Sequence, residues 1–253
     1  RDNVRRGFLN DSTALLQAKE DMKYINERYF SEPNYIKIDG HPILLDFGPQ
    51  YFNTEEEWGE IFSVLGDNQP AFYSLWYHGS RAGENNFGEF AWIHLDGHKD
   101  DLSGLRHFHT TYELEGDKMA VAYPGFVDFY KEGGWGEGIG WSIPHRGDST
   151  LIETLDLAIN SESDMIQLAT WNDYGEGTMF EPTVEFGFTF LSSLQKELGV
   201  KGITEKDLVL VYDLYKARIK YEANEKVQKD LDLAASYLAS LSFKQAEKIL
   251  KKY

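Results

Sequence analysis

The segment Trp171-Asn172-Asp173-Tyr174-Gly175-Glu176-Gly177-Thr178 sets two carboxyl groups three residues apart, between aromatic rings and glycines. Two carboxyls in unlike surroundings can divide acid and base work: one keeps a proton for a leaving oxygen, the other takes a proton from an attacking hydroxyl. The aromatic neighbours can dry one of the acids and offer flat apolar faces, and the glycines allow close approach to the backbone. The same residues also fit a plainer reading, a loop whose acids cap a helix or solvate a rim.

Whatever the pair does, a strand must deliver it. Residues 165–171 form an apolar run that predicts a buried strand ending at Trp171, and residues 184–198 predict the helix that follows. Earlier in the chain the pattern repeats. A helix runs from the capping group Asn10, Asp11 and Ser12 to about Phe30, a short strand and a tight turn at Asp39-Gly40 follow, and residues 42–47 form a buried strand. A helix opened by Thr54 and three glutamates precedes a second buried strand at 72–76, and a third lies at 119–123 before a helix at 149–160. Residues 79–117 are rich in glycine and histidine and read as a long surface insertion, with one strand at 90–95.

Buried strands alternating with helices predict a parallel sheet of the α/β class, in which functional residues gather at the strands' C-terminal ends. About four such strands are visible, whereas a closed (β/α)8 TIM-type barrel has eight. The expectation is therefore the C-terminal part of such a barrel over residues 1–200, the first strands missing, with a helical extension over 201–253. An opening at Arg1 without Met and without a signal peptide fits trimmed upstream sequence.

Composition narrows the chemistry. With 42 acidic against 25 basic residues, the net charge of −17 repels nucleic-acid phosphates and anionic lipid, so neither is an expected partner. No apolar run reaches the length of a membrane span. The absence of cysteine excludes disulfides and thiolate metal sites. Aromatics make up 15% of the chain, enough to serve both a core and sugar-stacking surfaces.

The motif from Trp171 to Thr178, followed by Glu181-Pro182, resembles the last-strand motif of glycoside hydrolase families 71 and 99. The likeness extends upstream through residues 29–42 and through Tyr123-Pro124-Gly125-Phe126, covering roughly residues 30–183. It implies a (β/α)8 barrel that cleaves α-linked glycans, α-glucan or α-mannan, probing an oligo- or polysaccharide substrate in endo fashion and without a cofactor. It also implies a hydrolase exported to the periplasm or beyond. By resemblance Asp173 is the first motif acid, assisting the nucleophile, and Glu176 is the general acid and base. Family 99 has Glu where this chain has Asp173, which is closer to family 71, so retention and inversion both stay open.

Further substrate contacts are expected from Trp171, Asn172 and Tyr174 beside the acids. Asp46, Trp76, Tyr77, Tyr123 and Asp128 lie at or just past strand ends, and Arg146 lies in His145-Arg146-Gly147 before a helix. Glu181 is a weaker candidate. His94, His98, His107 and His109 have spacings a metal could use but no carboxylate arrangement to go with them, so no metal is expected. Glycines 133–140 do not make a phosphate loop, because no Lys-Ser or Lys-Thr accompanies them. Two rival functions share these features, a glycan-binding protein without catalysis and a relative acting in surface-polysaccharide assembly. Oligomeric state is left open.

Overall fold

The computed structural model describes residues 2–94 and 102–253. These fall into two compact units, 1–179 and 180–253. In the first, helix α1 (Asp2–Arg5) precedes α2 (Asp11–Ile25), which starts at a capping box between Asn10 and Thr13 and ends in a π-helical turn, Asn26–Phe30. The box satisfies two backbone N–H groups that no helical carbonyl can reach. Strands β1 (Lys37–Ile38) and β2 (His41–Asp46) form an antiparallel pair around the turn at Asp39-Gly40. Helix α3 (Glu55–Phe62) opens at a second capping box, Thr54 with Glu57, and β3 (Ala71–Leu75) follows.

Strand β4 (Gly88–Phe90), helix α4 (Ser103–Thr110) and strand β5 (Asp117–Ala122) complete the middle of the unit. A two-stranded antiparallel ladder, β6 (Phe126–Val127) with β7 (Ser142–Ile143), brackets the glycine loop. Helix α5 (Ser149–Ile159) and strand β8 (Met165–Leu168) close the first unit. The sheet runs β1-β2-β3-β4-β5-β8 and is parallel from β2 onward, giving a mixed α/β unit with a curled parallel sheet and helices.

This corrects the reading of residues 79–117 as an insertion. β4 sits in the sheet between β3 and β5, and Leu102, Leu105 and Phe108 of the α4 region belong to the core. The strand is three residues long, Gly88-Glu89-Phe90, so the strand expected at 90–95 overlaps it only at Phe90, and its middle residue is a buried carboxylate. Residues 95–101, which include His98, lie outside the described residues. The parallel strands consequently number five among the described residues rather than four.

Both faces of the sheet are covered at β3, where Phe72 packs with Phe30, Trp58, Ile61 and Phe62 while Tyr73 packs with Ile43, Phe90 and Met119. α5 is tied to β5 through Thr154, whose hydroxyl receives the Tyr123 N–H at 3.1 Å and donates to the Tyr123 carbonyl at 2.8 Å.

The second unit contains α6 (Thr189–Glu197), α7 (Glu205–Lys220), α8 (Glu225–Ala239) and α9 (Phe243–Leu250). The helix expected from residue 184 begins five residues later, because Thr183 Oγ1 takes the Phe186 N–H and Gly187 has φ +54°, which turns the chain before it can wind. α7, α8 and α9 share a core built on Leu214, Ala217, Leu231, Ala234, Ala246 and Ile249. Such all-apolar spacing is sufficient for a helical packing unit.

Candidate active site

β8 ends at Leu168, and the chain then forms a closed loop. The Thr170 N–H donates to the Thr178 carbonyl at 2.8 Å, and the two threonine hydroxyls meet at 2.9 Å. Inside this clasp two side-chain turns follow each other. Thr170 Oγ1 accepts the Asp173 N–H at 3.0 Å, and Asp173 Oδ1 accepts the Glu176 N–H at 3.0 Å. Short polar side chains that bond to the backbone a few residues on are what fix such turns. The spacing of the two acids is thus itself a structural device: the first orients the backbone of the second.

Gly177 makes the next turn with φ +61°, and a Cβ there would stand 3.1 Å from both Val127 Cβ and Val127 N. The loop is paired to the chain after β6 by Val127 N–H to the Glu176 carbonyl and Phe129 N–H to the Gly175 carbonyl, each 2.9 Å. His145 closes the other side. Its Nε2 lies 2.7 Å from the Gly177 carbonyl, which can only accept, so Nε2 carries the proton and donates. Burial holds the His145 pKa down and keeps the ring neutral.

Glu176 is partly buried. Its Oε1 accepts the Tyr130 hydroxyl at 2.6 Å, while Oε2 is buried with no partner among the described residues. Burial raises the Glu176 pKa; the Tyr130 bond opposes that, and the neighbouring charge of Asp173 adds to it. A carboxyl kept protonated beyond its usual range, with one oxygen uncommitted, can donate a proton. Asp173 has one oxygen held by the backbone and stands three residues before it, available as the second carboxylate.

Around the pair, Trp171 is 55% exposed and Tyr174 50%, and Asn172 is exposed as well, so these three expected contacts are open to a ligand. At the C-terminal end of β3, Tyr77 is also exposed, in a left-handed conformation with φ +63°, its ring 4.6 Å from that of Trp76. That conformation is held by Glu89, which is buried on β4 and accepts the N–H groups of Tyr77 at 2.9 Å and Gly79 at 2.7 Å and the Tyr112 hydroxyl at 2.8 Å. Asp46 lies at the end of β2, partly buried, its pKa raised by burial, in a cavity shared with Tyr51, Phe52 and Trp58.

Other expected contacts are engaged elsewhere. Tyr123 is fully buried in the core cluster with Phe108, Phe126 and Ala169, and its backbone is held by Thr154 of α5. Asp128 accepts N–H groups of Tyr130 at 3.1 Å, Gly140 at 2.8 Å and Ile139, and so closes the glycine loop on itself. Arg146 lays its guanidinium along α5, on Glu153 at 2.7 Å and Thr150 at 3.1 Å. Glu181 belongs to the 180–253 unit. His107 faces Tyr77 and His109 is buried beside Phe108, and among the described residues no three potential ligands are placed to hold a metal ion.

Tyr130 and Glu89 went unrecognised in the sequence. Tyr130 reaches Glu176 across 46 residues through the β6–β7 ladder, which no periodicity reveals. For Glu89 the one available signal was a carboxylate flanked by Gly88 and Phe90 in a weakly patterned stretch.

No family model and no curated protein matches the chain. Among solved structures, it is similar to the GH99 endo-α-mannosidase of Bacteroides thetaiotaomicron in complex with bis-tris propane, with a TM-score of 0.52 and 17% identity. That match covers 67% of this chain and 56% of the other. A second structure of an endo-α-mannosidase of the same family and organism matches with a TM-score of 0.51 and 17% identity, over 67% of this chain and 53% of the other. The chain therefore spans about half the length of the solved structures it matches. At this identity the likeness is one of fold, and it bears out at that level the resemblance to glycoside hydrolase families 71 and 99.

Proposed function

We propose that the chain is part of a (β/α)8 glycosidase that cleaves α-linked glycans, α-mannan or α-glucan, within the chain rather than from its end. The observation that carries the reading is the loop after β8, where Glu176 is half-dried with a free oxygen and Asp173 is locked beside it. In this account Glu176 gives its proton to the glycosidic oxygen as the C–O bond breaks, and the leaving sugar departs as an alcohol. Asp173 takes the proton of the nucleophile, water or a hydroxyl of the sugar itself, as its oxygen bonds to the anomeric carbon; Glu176 regains a proton from the incoming water or, through solvent, from Asp173. Trp171, Tyr174 and Tyr77 stack on sugar rings, since aromatic faces suit their apolar sides. The fold likeness to two structures of a GH99 endo-α-mannosidase supports the substrate class.

An apolar groove on the sheet, lined by Ile43, Leu45, Met119, Met165 and Gln167, is open to solvent. In a closed barrel the sheet interior is filled by layers of side chains, so further strand–helix units closing on β2 and β8 would cover it. The test of the function is release of new reducing ends from α-mannan and α-1,3-glucan by the full-length protein. Loss of release in Asp173→Asn and Glu176→Gln with glycan binding retained is expected. Binding that survives both changes with no product from the unaltered protein at any pH would move the assignment to a glycan-binding protein.

A further inference from the structure

The glycine loop that follows β6 is built around the active carboxyl. Tyr130 stands at its start, with its hydroxyl 2.6 Å from Glu176 Oε1. The ring lies against the loop, 3.8 Å from where a Cβ on Gly175 would be. The backbone on either side of Asp128 is paired to Gly175 and Glu176. Asp128 then binds the Tyr130 N–H and, across the loop, the N–H of Gly140, and those bonds hold its pKa below the usual carboxylate range. Tyr130 is thus fixed from its own side, so its hydroxyl meets Glu176 in one orientation.

The groups facing Glu176 are few. Asp173 comes from its own loop and Tyr130 from the chain after β6; Asp128 acts on Tyr130, and the ring of His145, from the chain after β7, is committed to the Gly177 carbonyl. Oε2 is the carboxyl oxygen left without a partner among the described residues. Burial, then the bond to Glu176, keeps the Tyr130 phenol protonated well beyond its ordinary range, so the phenol always donates. A proton on Oε1 would compete with that donor.

We propose that Tyr130 is a positioning residue that holds Oε1 of Glu176 as an acceptor, fixing the orientation of the carboxyl and lowering its affinity for a proton. This rests on the glycosidase reading for its catalytic consequence. When Glu176 gives up its proton, the carboxylate that results is already hydrogen-bonded at Oε1, which favours the charged product of the transfer. No other reactant is needed.

Tyr130→Phe removes the hydroxyl and keeps the ring. Site-resolved carbon NMR of the glutamate carboxyls, with the Glu176 signal identified by its loss in Glu176→Gln, reads the effect without any substrate. The proposal expects the Glu176 titration to move to higher pH, by roughly one unit or a tenfold change in proton affinity. On an α-glycan, kcat should fall about 10- to 100-fold with KM little changed, and the pH–rate limb of the acid should move the same way. An unchanged Glu176 titration in a folded Tyr130→Phe protein overturns the proposal. Should that variant fail to fold, the reciprocal measurement decides: in Glu176→Gln the Tyr130 ring-carbon signal should titrate at lower pH, and no movement overturns the proposal equally. A shifted titration in a protein that releases no product would leave the pairing standing and refute the glycosidase reading alone.

Discussion

Glu176 is costly to the fold at neutral pH and useful for that reason. Its pKa is raised in the folded protein, so the folded state favours the proton; the stability this gives is fully present below the ordinary carboxylate range and is lost as pH rises through the folded value. Glu176→Gln should therefore melt no lower than the unaltered protein at pH 7, while product release drops about 10²- to 10⁴-fold; a melting temperature clearly lowered at pH 7 would contradict the sign. Gly177→Ala meets a different constraint, since a side chain would be strained at φ +61° and would press on Val127. Thermal unfolding should show a loss of about 1 to 3 kcal/mol and weakened turnover, because the residue next to Glu176 must move. The acids, Trp171 and the glycines were legible because they stand together in eight residues. Their hydrogen-bond logic was not, since Tyr130 and His145 arrive from segments 46 and 32 residues away.

At the scale of elements, long apolar strands and capped helices were readable, and the short strand β4 was met only at its last residue, Phe90. β2, β3, β5 and β8 each carry four or more residues with a buried or apolar run, whereas β4 has three and hides a carboxylate that three donors satisfy. Burial of a polar group is affordable only with such partners, and the partners come from the ends of other elements. The α5–β5 joint shows the same rule. Thr154→Val keeps the shape but removes the partner of the Tyr123 N–H, and denaturant unfolding should record a loss of about 1 to 3 kcal/mol. His109 on α4 is buried, and burial, with Lys118 adding and a backbone hydrogen bond at Val121 opposing, lowers its pKa from 6.5 to about 4. The unfolded chain takes up the proton first, so stability is full above about pH 6.5 and declines toward pH 4, by about 3 kcal/mol in all. Urea titrations across that range should show the decline, and His109→Leu should flatten it.

For the whole molecule, the sheet curls through five parallel strands, and the solved structures it resembles are nearly twice as long as the matched part. Sequence reading reached the α/β class with its parallel sheet, and it placed Asp173 and Glu176 in a loop just past the end of a strand, where the structure also has them. It did not reach the sheet's order, since the strand expected at 90–95 was read as part of an insertion rather than of the sheet. Within the second unit, α7, α8 and α9 have their own core, and the region expected as a helical extension is helical. Leu45 and Ile36 are exposed at the β1–β2 side of the sheet, beside the apolar groove, so the chain by itself should associate as concentration rises. Sedimentation showing a strict monomer throughout would argue against an open seam there. The central claim is tested most directly by incubating the full-length protein and its Glu176→Gln variant with α-mannan and α-1,3-glucan and measuring new reducing ends. The account predicts release by the former and none by the latter. Equal release by both would contradict it.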